Sequence, residues 1–394
     1  MTRRIVSVTG TRSDYGLMTP VMQSIVLRRT LTLELIVTGM HLLPEFKSSL
    51  EQVRKDNFCK LHIAGTTLGE DSGQAMAQSL GLSVFTFSSI LANVGPDILL
   101  LQGDRGEMLA GAIAAAHMNI PIVHMSGGDY SGSIDDSLRS AISVFSHVHL
   151  TTCRQSSDRL LAMGESANRV FAVGEPGLDV IKHLRFVPPE TLAREFRLDL
   201  SRPVVLAAQH PVTTEADQAA WQITQILEAL KELNIQSVFT YPNSDSGGRE
   251  MTRVLESYRN HDFIRIVPNL GSEKYLSLLK MASVIVGNSS SGIFESPSFK
   301  VPAVNIGSRQ HGRLTSTNVI NVGYGKNEIM SAVRRALEDE DFRGRVRECV
   351  NPYGDGKAAE KTVAILERLT ITPGLLAKWM RSNESFLSEA PPDV

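Results

Sequence analysis

Val284-Ile285-Val286-Gly287-Asn288-Ser289-Ser290-Ser291-Gly292-Ile293-Phe294-Glu295 is the stretch on which the fold reading turns. It opens with a short apolar run that lacks period-2 alternation, which suits a strand buried on both faces of a parallel sheet. Glycine then breaks the run, and small polar residues lead into a renewed helical pattern. Backbone N–H groups, serine hydroxyls and a helix dipole converge at such a junction, as an anion site requires. Glu295 falls on the first turn. A carboxylate there is a poor phosphate ligand but a good acceptor for two ribose hydroxyls.

The same grammar repeats outward from this stretch. Strand candidates are Ile5–Thr9, Leu33–Val37, Asp97–Leu101, Ile122–Met125, Val148–Thr151 and Val170–Val173, and then Val204–Ala208, Ser237–Tyr241, Ile264–Val267, Val284–Val286, Ala303–Ile306 and Val319–Val322. Helices are expected at Leu17–Arg28, Glu107–Met118, Ser156–Met163, Ala216–Leu233 and Glu328–Glu338, the last with Ile329, Ala332, Val333 and Ala336 on one face. Strand–helix alternation implies α/β architecture with right-handed crossovers. It occurs twice, with Pro188, Pro189 and Pro203 in the interval, so the expectation is two Rossmann-like domains meeting near residues 175–200. Ligands bind beyond the carboxyl ends of parallel strands, and two facing sheets would form a central cleft.

Composition narrows the class. At 394 residues the chain exceeds one ordinary core. Lysine plus arginine number 40 against 42 acidic residues, a net charge of -2, so no basic excess points to nucleic acid. The expected partners therefore include neither nucleic acid nor a membrane. Cys59, Cys153 and Cys349 are too few and too scattered for a disulfide framework or a cysteine metal site, and they fit a reducing compartment. The apolar run Ile5 to Val8 is too short for a leader, and no continuous run approaches the roughly 18 residues of a membrane span. The expected location is cytoplasmic.

Other loops after strands add candidates. Gly10-Thr11-Arg12-Ser13-Asp14 offers a tight turn, a cap at Ser13 or Asp14, and in Arg12 a fork of donors at a helix start. It contains no GxGxxG, so no nicotinamide cofactor is suggested. Gly103-Asp104-Arg105 places an acid at a sheet mouth. In Gly127-Gly128-Asp129-Tyr130-Ser131-Gly132-Ser133-Ile134-Asp135-Asp136, glycines would let backbone approach a ligand, and three carboxylates lie within eight residues. Carboxylates that share a shielded site repel, which separates acid from base. Helix capping is the competing account of Asp135 and Asp136. In the second half, Gln209-His210-Pro211-Val212-Thr213-Thr214 places His210 at a strand end, with Thr213 or Thr214 as a cap. Tyr241-Pro242-Asn243-Ser244-Asp245 makes a polar loop, and Gly307-Ser308-Arg309-Gln310-His311-Gly312-Arg313 brings two arginines.

These loops, in this order, resemble the hydrolysing UDP-N-acetylglucosamine 2-epimerases of sialic-acid biosynthesis and their legionaminic-acid relatives. The matching stretches include Thr9 to Tyr15, Thr38-Gly39-Met40-His41, Gly103-Asp104-Arg105, Gly127-Gly128-Asp129, Ile134 to Arg139, Ser146-His147-Val148-His149, His210 to Thr213, Asn288 to Gly292 and Gly307 to Arg313. The resemblance implies a GT-B-like fold with a first domain over 1–178 carrying the carboxylates. A nucleotide-binding domain over 179–372 follows, and then a helix and tail, 373–394, packing back toward the first. It implies conversion of UDP-N-acetylglucosamine to N-acetylmannosamine and UDP through loss of the C2 proton, a glycal, and hydration with inversion at C2. No metal or other cofactor is required.

Carried over by position, Asp104, Asp129 and Asp135 match the catalytic carboxylates, with Asp129 or Asp104 at the C2 proton and Asp135 in the second half-reaction. Arg12, His210, Asn243, Ser290, Ser291 and Arg313 would bind substrate, Gly292 would supply a backbone contact, and Glu295 would take the ribose. A homodimer is implied as well. Three positions depart from the pattern. Asp129 stands where glutamate is usual, Ser140 where histidine follows the arginine, and Val144 where lysine is frequent. The alternatives are the same reaction on a UDP- or GDP-2,4-diacetamido sugar, a GT-B glycosyltransferase, and a non-catalytic nucleotide-sugar binder.

Overall fold

The computed structural model describes residues 2–43, 47–68, 72–130, 135–243, 245–268 and 270–378. The chain divides into two compact units, Met1–Val180 with Tyr353–Val394, and Ile181–Pro352.

The first unit is a seven-stranded parallel sheet ordered β3-β2-β1-β4-β5-β6-β7. The strands are β1 Arg3–Thr9, β2 Leu31–Val37, β3 Lys60–Ile63, β4 Ile98–Gln102, β5 Ile122–Met125, β6 Val148–Thr151 and β7 Val170–Ala172. Ile98 to Leu101 are wholly buried, because helices cover both faces of this central strand. The second unit repeats the plan with six strands ordered β10-β9-β8-β11-β12-β13. These are β8 Val204–Ala208, β9 Gln236–Thr240, β10 Ile264–Val267, β11 Val284–Gly287, β12 Ala303–Ile306 and β13 Val319–Val322. All described pairings are parallel, with β11 against β8 placing Gly287 opposite Ala208. Each unit thus has a point where strand order reverses, beside β1 in one and β8 in the other, the usual place for a ligand.

Several sequence expectations need correction. The first helix starts at Arg12 rather than Leu17. Its cap is Thr11, not Ser13 or Asp14: the Thr11 hydroxyl accepts from Asp14 N–H, and Asp14 returns the bond to the cap. Neither Thr213 nor Thr214 caps the Ala219–Glu232 helix, since a 3-10 turn over Thr213–Gln218 intervenes without a side-chain cap.

The chain rejoins the first unit at Tyr353, ahead of the expected return at 373. Long-range capping is the reason. The Asp179 carboxylate accepts from the N–H groups of Ala358 and Ala359 at 2.9 and 2.7 Å, capping the Ala358–Arg368 helix. Arg3 donates to the Leu366 and Leu369 carbonyls at its other end. Most of the expected tail, from 379 onward, lies outside the described residues.

One helix, Gly73–Val94, is long and apolar enough to cross a membrane by length and composition. It is not the continuous apolar run that the sequence reading looked for, because polar residues interrupt it. It is 22 residues without an Asp, Glu, Lys, Arg or His, diluted by serine, glycine and glutamine. Phe87, Leu91 and Val94 are buried in the core with the Gly106–His117 helix. Met76 and Phe85 are 73% and 74% exposed.

Candidate functional site

In the first unit, the loops after β4 and β5 deliver the acids. Asp104 follows β4 through Gly103, whose φ of +78° turns the chain. The helix Asp135–Phe145 begins on Asp135 and Asp136, which places both in its first turn. That position favours negative charge whatever else the residues do, and the cap residue before them lies outside the described residues. One turn on, Arg139 is buried at 7% exposure. Its guanidinium ion-pairs with Asp104 and lies 3.6 Å from Asp136. Burial raises the Asp104 pKa and the nearby Asp135 charge adds to the rise, while Arg139 offsets only part of it. Asp104, Asp135 and Arg139 are therefore one electrostatic unit.

Asp129 is held differently. Its Oδ1 accepts from Thr152 Oγ1 at 2.6 Å and from Ser156 Oγ at 2.5 Å, both at the start of the Arg154–Ala162 helix. The glycines ahead of it are closely packed. A Cβ on Gly128 would meet the Ser156 carbonyl oxygen at 2.2 Å, and one on Gly127 would meet His124 and Ser143 at 2.9 Å. Residues 131–134 of the same loop, Gly132 among them, lie outside the described residues. Arg12 is the first residue of its helix and exposed, with no described hydrogen bond or ion pair among the described residues. Ser140 is exposed on the Asp135–Phe145 helix.

In the second unit, Asn288 organises the site. Its wholly buried side chain accepts from His210 N–H at 2.7 Å and donates to the His210 carbonyl at 2.8 Å. Its own carbonyl accepts from Arg309 at 3.1 Å and Gln310 at 2.8 Å. Asn243 N–H donates to His210 Nδ1 at 3.1 Å, so Nδ1 is the acceptor and the ring proton sits on Nε2. Burial, with Arg309 beside it, lowers the His210 pKa to about 4 and keeps the ring neutral. Four post-strand loops, those after β8, β9, β11 and β12, are thereby tied together. Gly287 makes this possible: its φ is +128°, and a Cβ would strike the Ala208 carbonyl oxygen at 2.1 Å.

The serine loop differs from the expected anion cradle. Only one helical turn follows, Ser291–Phe294, so there is little dipole to use. Asn288 and Ser289 N–H donate to the Ala208 carbonyl, and Gly292 N–H donates to Ser289, so that Gly292 amide is already engaged. Positive charge comes instead from the next loop. Arg313 donates to Gln310 at 2.8 Å and lies over the Phe294 ring. Arg309 is half-buried, and burial followed by the Arg313 charge lowers its pKa. A guanidinium lowered in this way by its neighbour is favoured by an anion beside it. Ser290 precedes the short helix and Ser291 opens it. Glu295 Oε2 is sealed from solvent without a hydrogen-bond partner among the described residues. Burial raises its pKa despite help from Ser291. A buried polar atom left without a partner costs free energy.

Sequence reasoning left Arg139, Asn288 and Arg309 out of the site, although each stood in a quoted motif. The signal for Asn288 was its place directly after a strand-ending glycine. A cavity of about 760 Å3, lined by Gly307, Ser308, His311, Tyr324, Glu328 and Arg335 among others, shares with the His210–Asn288 cluster only the loop after β12. Among the described residues, no three His, Cys, Asp or Glu side chains gather as a metal site.

Known proteins resemble this chain over most of its length. The family model described as UDP-N-acetylglucosamine 2-epimerase matches residues 24–367. A UDP-N,N'-diacetylbacillosamine 2-epimerase (hydrolyzing) from Legionella pneumophila is 36% identical over 378 residues, 96% of this chain and 99% of that one. A UDP-N-acetylglucosamine 2-epimerase from Neisseria meningitidis is 34% identical, over 87% of this chain and 91% of its own. The crystal structure of UDP-GlcNAc 2-epimerase from Neisseria meningitidis bound to UDP-GlcNAc shares the fold, with a TM-score of 0.78 at 18% identity, covering 92% of this chain and 99% of that one. Two parallel α/β units, GT-B-like in architecture, and a family match across most of the sequence give one conclusion: the chain belongs to the UDP-N-acetylglucosamine 2-epimerase family.

Proposed function

We propose that the chain is a hydrolysing nucleotide-sugar 2-epimerase. Its donor is a UDP-linked 2-acetamido hexose, and its products are UDP and the free sugar inverted at C2. The observation that carries the reading is the Asp104–Arg139–Asp135 unit. A carboxyl whose pKa is raised by burial and which is paired with Arg139, with the charge of Asp135 close enough to act on it, supplies the proton transfers the reaction needs. In the first step Asp104 takes the C2 proton. The C–H electron pair becomes the C1=C2 bond, and the C1–O pair leaves with UDP. In the second step water adds its oxygen to C1, and C2 gains a proton on the opposite face, with Asp135 serving this half and Asp129 held by Thr152 and Ser156 as the third carboxylate. Arg309 and Arg313, with Arg12, bind the diphosphate and stabilise its charge as it departs. His210 offers its Nε2–H to a phosphate oxygen, and Asn243, Ser290 and Ser291 add polar contacts. Glu295 Oε2 accepts from the ribose.

The 2,4-diacetamido donor is the first reading, because the Legionella relative, 36% identical over 96% of this chain, carries that name. UDP-N-acetylglucosamine is the second, favoured by the Neisseria relative. Incubation with each donor alone, following UDP and reducing sugar, tests both. Turnover of the diacetamido donor supports the first, and N-acetylmannosamine from the other donor supports the second. Release of UDP only with an added acceptor, as a glycosyltransferase requires, would contradict both, as would an inverted product still linked to UDP.

We further propose that two copies pair through the outer face of the Gly73–Val94 helix. Two copies of a charge-free face meet with no ion to desolvate, and Ala77 and Gly81 on the exposed side permit close approach. Phe85→Glu is expected to yield monomers in light scattering where the parent chain is dimeric. A parent chain that is already monomeric would end the proposal.

A further inference from the structure

Residues 372–378 form a strap on the first unit that the proposed reaction does not use. Thr372 caps the short helix Pro373–Leu376. Arg169 donates to the carbonyls of Gly374 and Leu375 at 2.8 Å and of Ala377 at 3.2 Å. The strap ends on Lys378, whose ammonium donates to the carbonyls of Ser143 at 2.8 Å, Val144 at 2.9 Å and Ser146 at 2.8 Å. It also ion-pairs with Glu165, which lies 3.0 Å from His149. These carbonyls are at the end of the Asp135–Phe145 helix, where acceptors lack intrahelical partners and a cation is favoured. Lys378 is only 12% exposed along its side chain and Glu165 only 1%. A buried lysine is tolerated only with such full pairing.

The helix that Lys378 grips holds the Asp104 loop at two points. Arg139 ion-pairs with Asp104. Ser143 Oγ lies 3.0 Å from His124 Nδ1, and His124 Nε2 lies 2.8 Å from the Gly103 carbonyl, one residue before Asp104. An Nε2 facing a carbonyl must carry the proton, so Nδ1 accepts from Ser143. A continuous buried path therefore runs from the strap through the helix to the acid.

We infer that Lys378 is a positioning residue for this site, fixing from the far end of the chain the helix that sets Asp104, Asp135 and Arg139. The inference rests on the 2-epimerase reading for its kinetic consequence alone. A shift of about an ångström at reacting groups costs on the order of a hundredfold in rate. A helix cap of purely structural value would leave turnover per folded molecule unchanged.

The test compares the full-length protein with Lys378→Met, Lys378→Arg and Arg169→Gln, the last releasing the strap without touching Lys378. The readouts are kcat, KM, UDP affinity by calorimetry and amide hydrogen exchange. Lys378→Met is expected to lower kcat about tenfold to a hundredfold with KM and UDP affinity within about threefold. Exchange should quicken at Arg139 to Ile142 as well as at the helix end. Lys378→Arg should recover most of the turnover. Unchanged kcat, with exchange quickened only at Ser143 to Phe145, would overturn the inference. Should Lys378→Met fail to fold, Arg169→Gln decides, with the same signature at smaller size expected and unchanged kcat overturning it. A parent chain inactive on both donors refutes the function, whereas exchange at Arg139 to Ile142 still judges Lys378.

Discussion

In the first unit β4 and β5 lead to acids, whereas in the second β8, β11 and β12 lead to amides and arginines. The sheets are ordered alike over six strands, so the contrast in charge comes from the loops. The first unit crowds Asp104 against Asp135 and accepts a raised pKa, held in check by one arginine. The second builds a neutral scaffold from Asn288 and His210 and sets Arg309 and Arg313 against it, with Asp245 acting on Arg309. One loop set gathers carboxyls and the other guanidiniums, which is the division of labour the proposed function uses. The lesson is that a repeated fold leaves function to short segments after strands, where electrostatics can be written independently in each copy.

Breaking the proton half should have the largest effect. Asp104→Asn and Asp135→Asn are each expected to lower kcat at least about a hundredfold, with UDP affinity within about twofold by calorimetry. A comparable loss of UDP affinity would show that the division of labour is wrong. Breaking the anion half should be smaller. Arg309→Ala and Arg313→Ala are each expected to weaken UDP about tenfold to a hundredfold, the range of a charge-assisted hydrogen bond, while far-ultraviolet dichroism stays unchanged.

The third contrast is in acid. Burial lowers the pKa of His124 to about 3 and of His147 to about 4 in the first unit, and His210 to about 4 in the second. Each is neutral when folded and titrates near 6.5 when unfolded. Below that pH the unfolded chain binds more protons, so stability falls as pH drops from about 6.5 toward 4. Each histidine contributes up to about 1.4 kcal/mol per pH unit. The first unit, in which burial lowers His41, His124, His147 and His149 against His210 alone in the second, should lose protection from hydrogen exchange more steeply than the second between pH 6 and 5. Equal losses would remove this difference between the units.

The strands were legible because buried parallel strands are short apolar runs, and β5, β6, β8, β10, β12 and β13 fall where the sequence places them. The edge strand β3, Lys60–Ile63, was not, since half its residues are polar and it has one neighbour. The Gly73–Val94 helix was missed because a helix without charge shows no polar stripe to contrast with its buried one. The acids and the second arginine loop could be placed by their position after strands. The ties that give them meaning could not. Arg139 to Asp104, Asn288 to His210, Asp179 to Ala358 and Lys378 to Ser143 join residues 35 to 235 positions apart. Local spacing carries no trace of such bonds.

The central claim is that proton removal at C2 accompanies departure of UDP. Turnover of the UDP-linked donor in deuterium oxide, with the released sugar examined by proton NMR and mass spectrometry, addresses it most directly. The account predicts one deuterium at C2 of every released sugar molecule, with the C2 configuration inverted. Release of UDP together with a sugar that keeps its original hydrogen at C2 would contradict it.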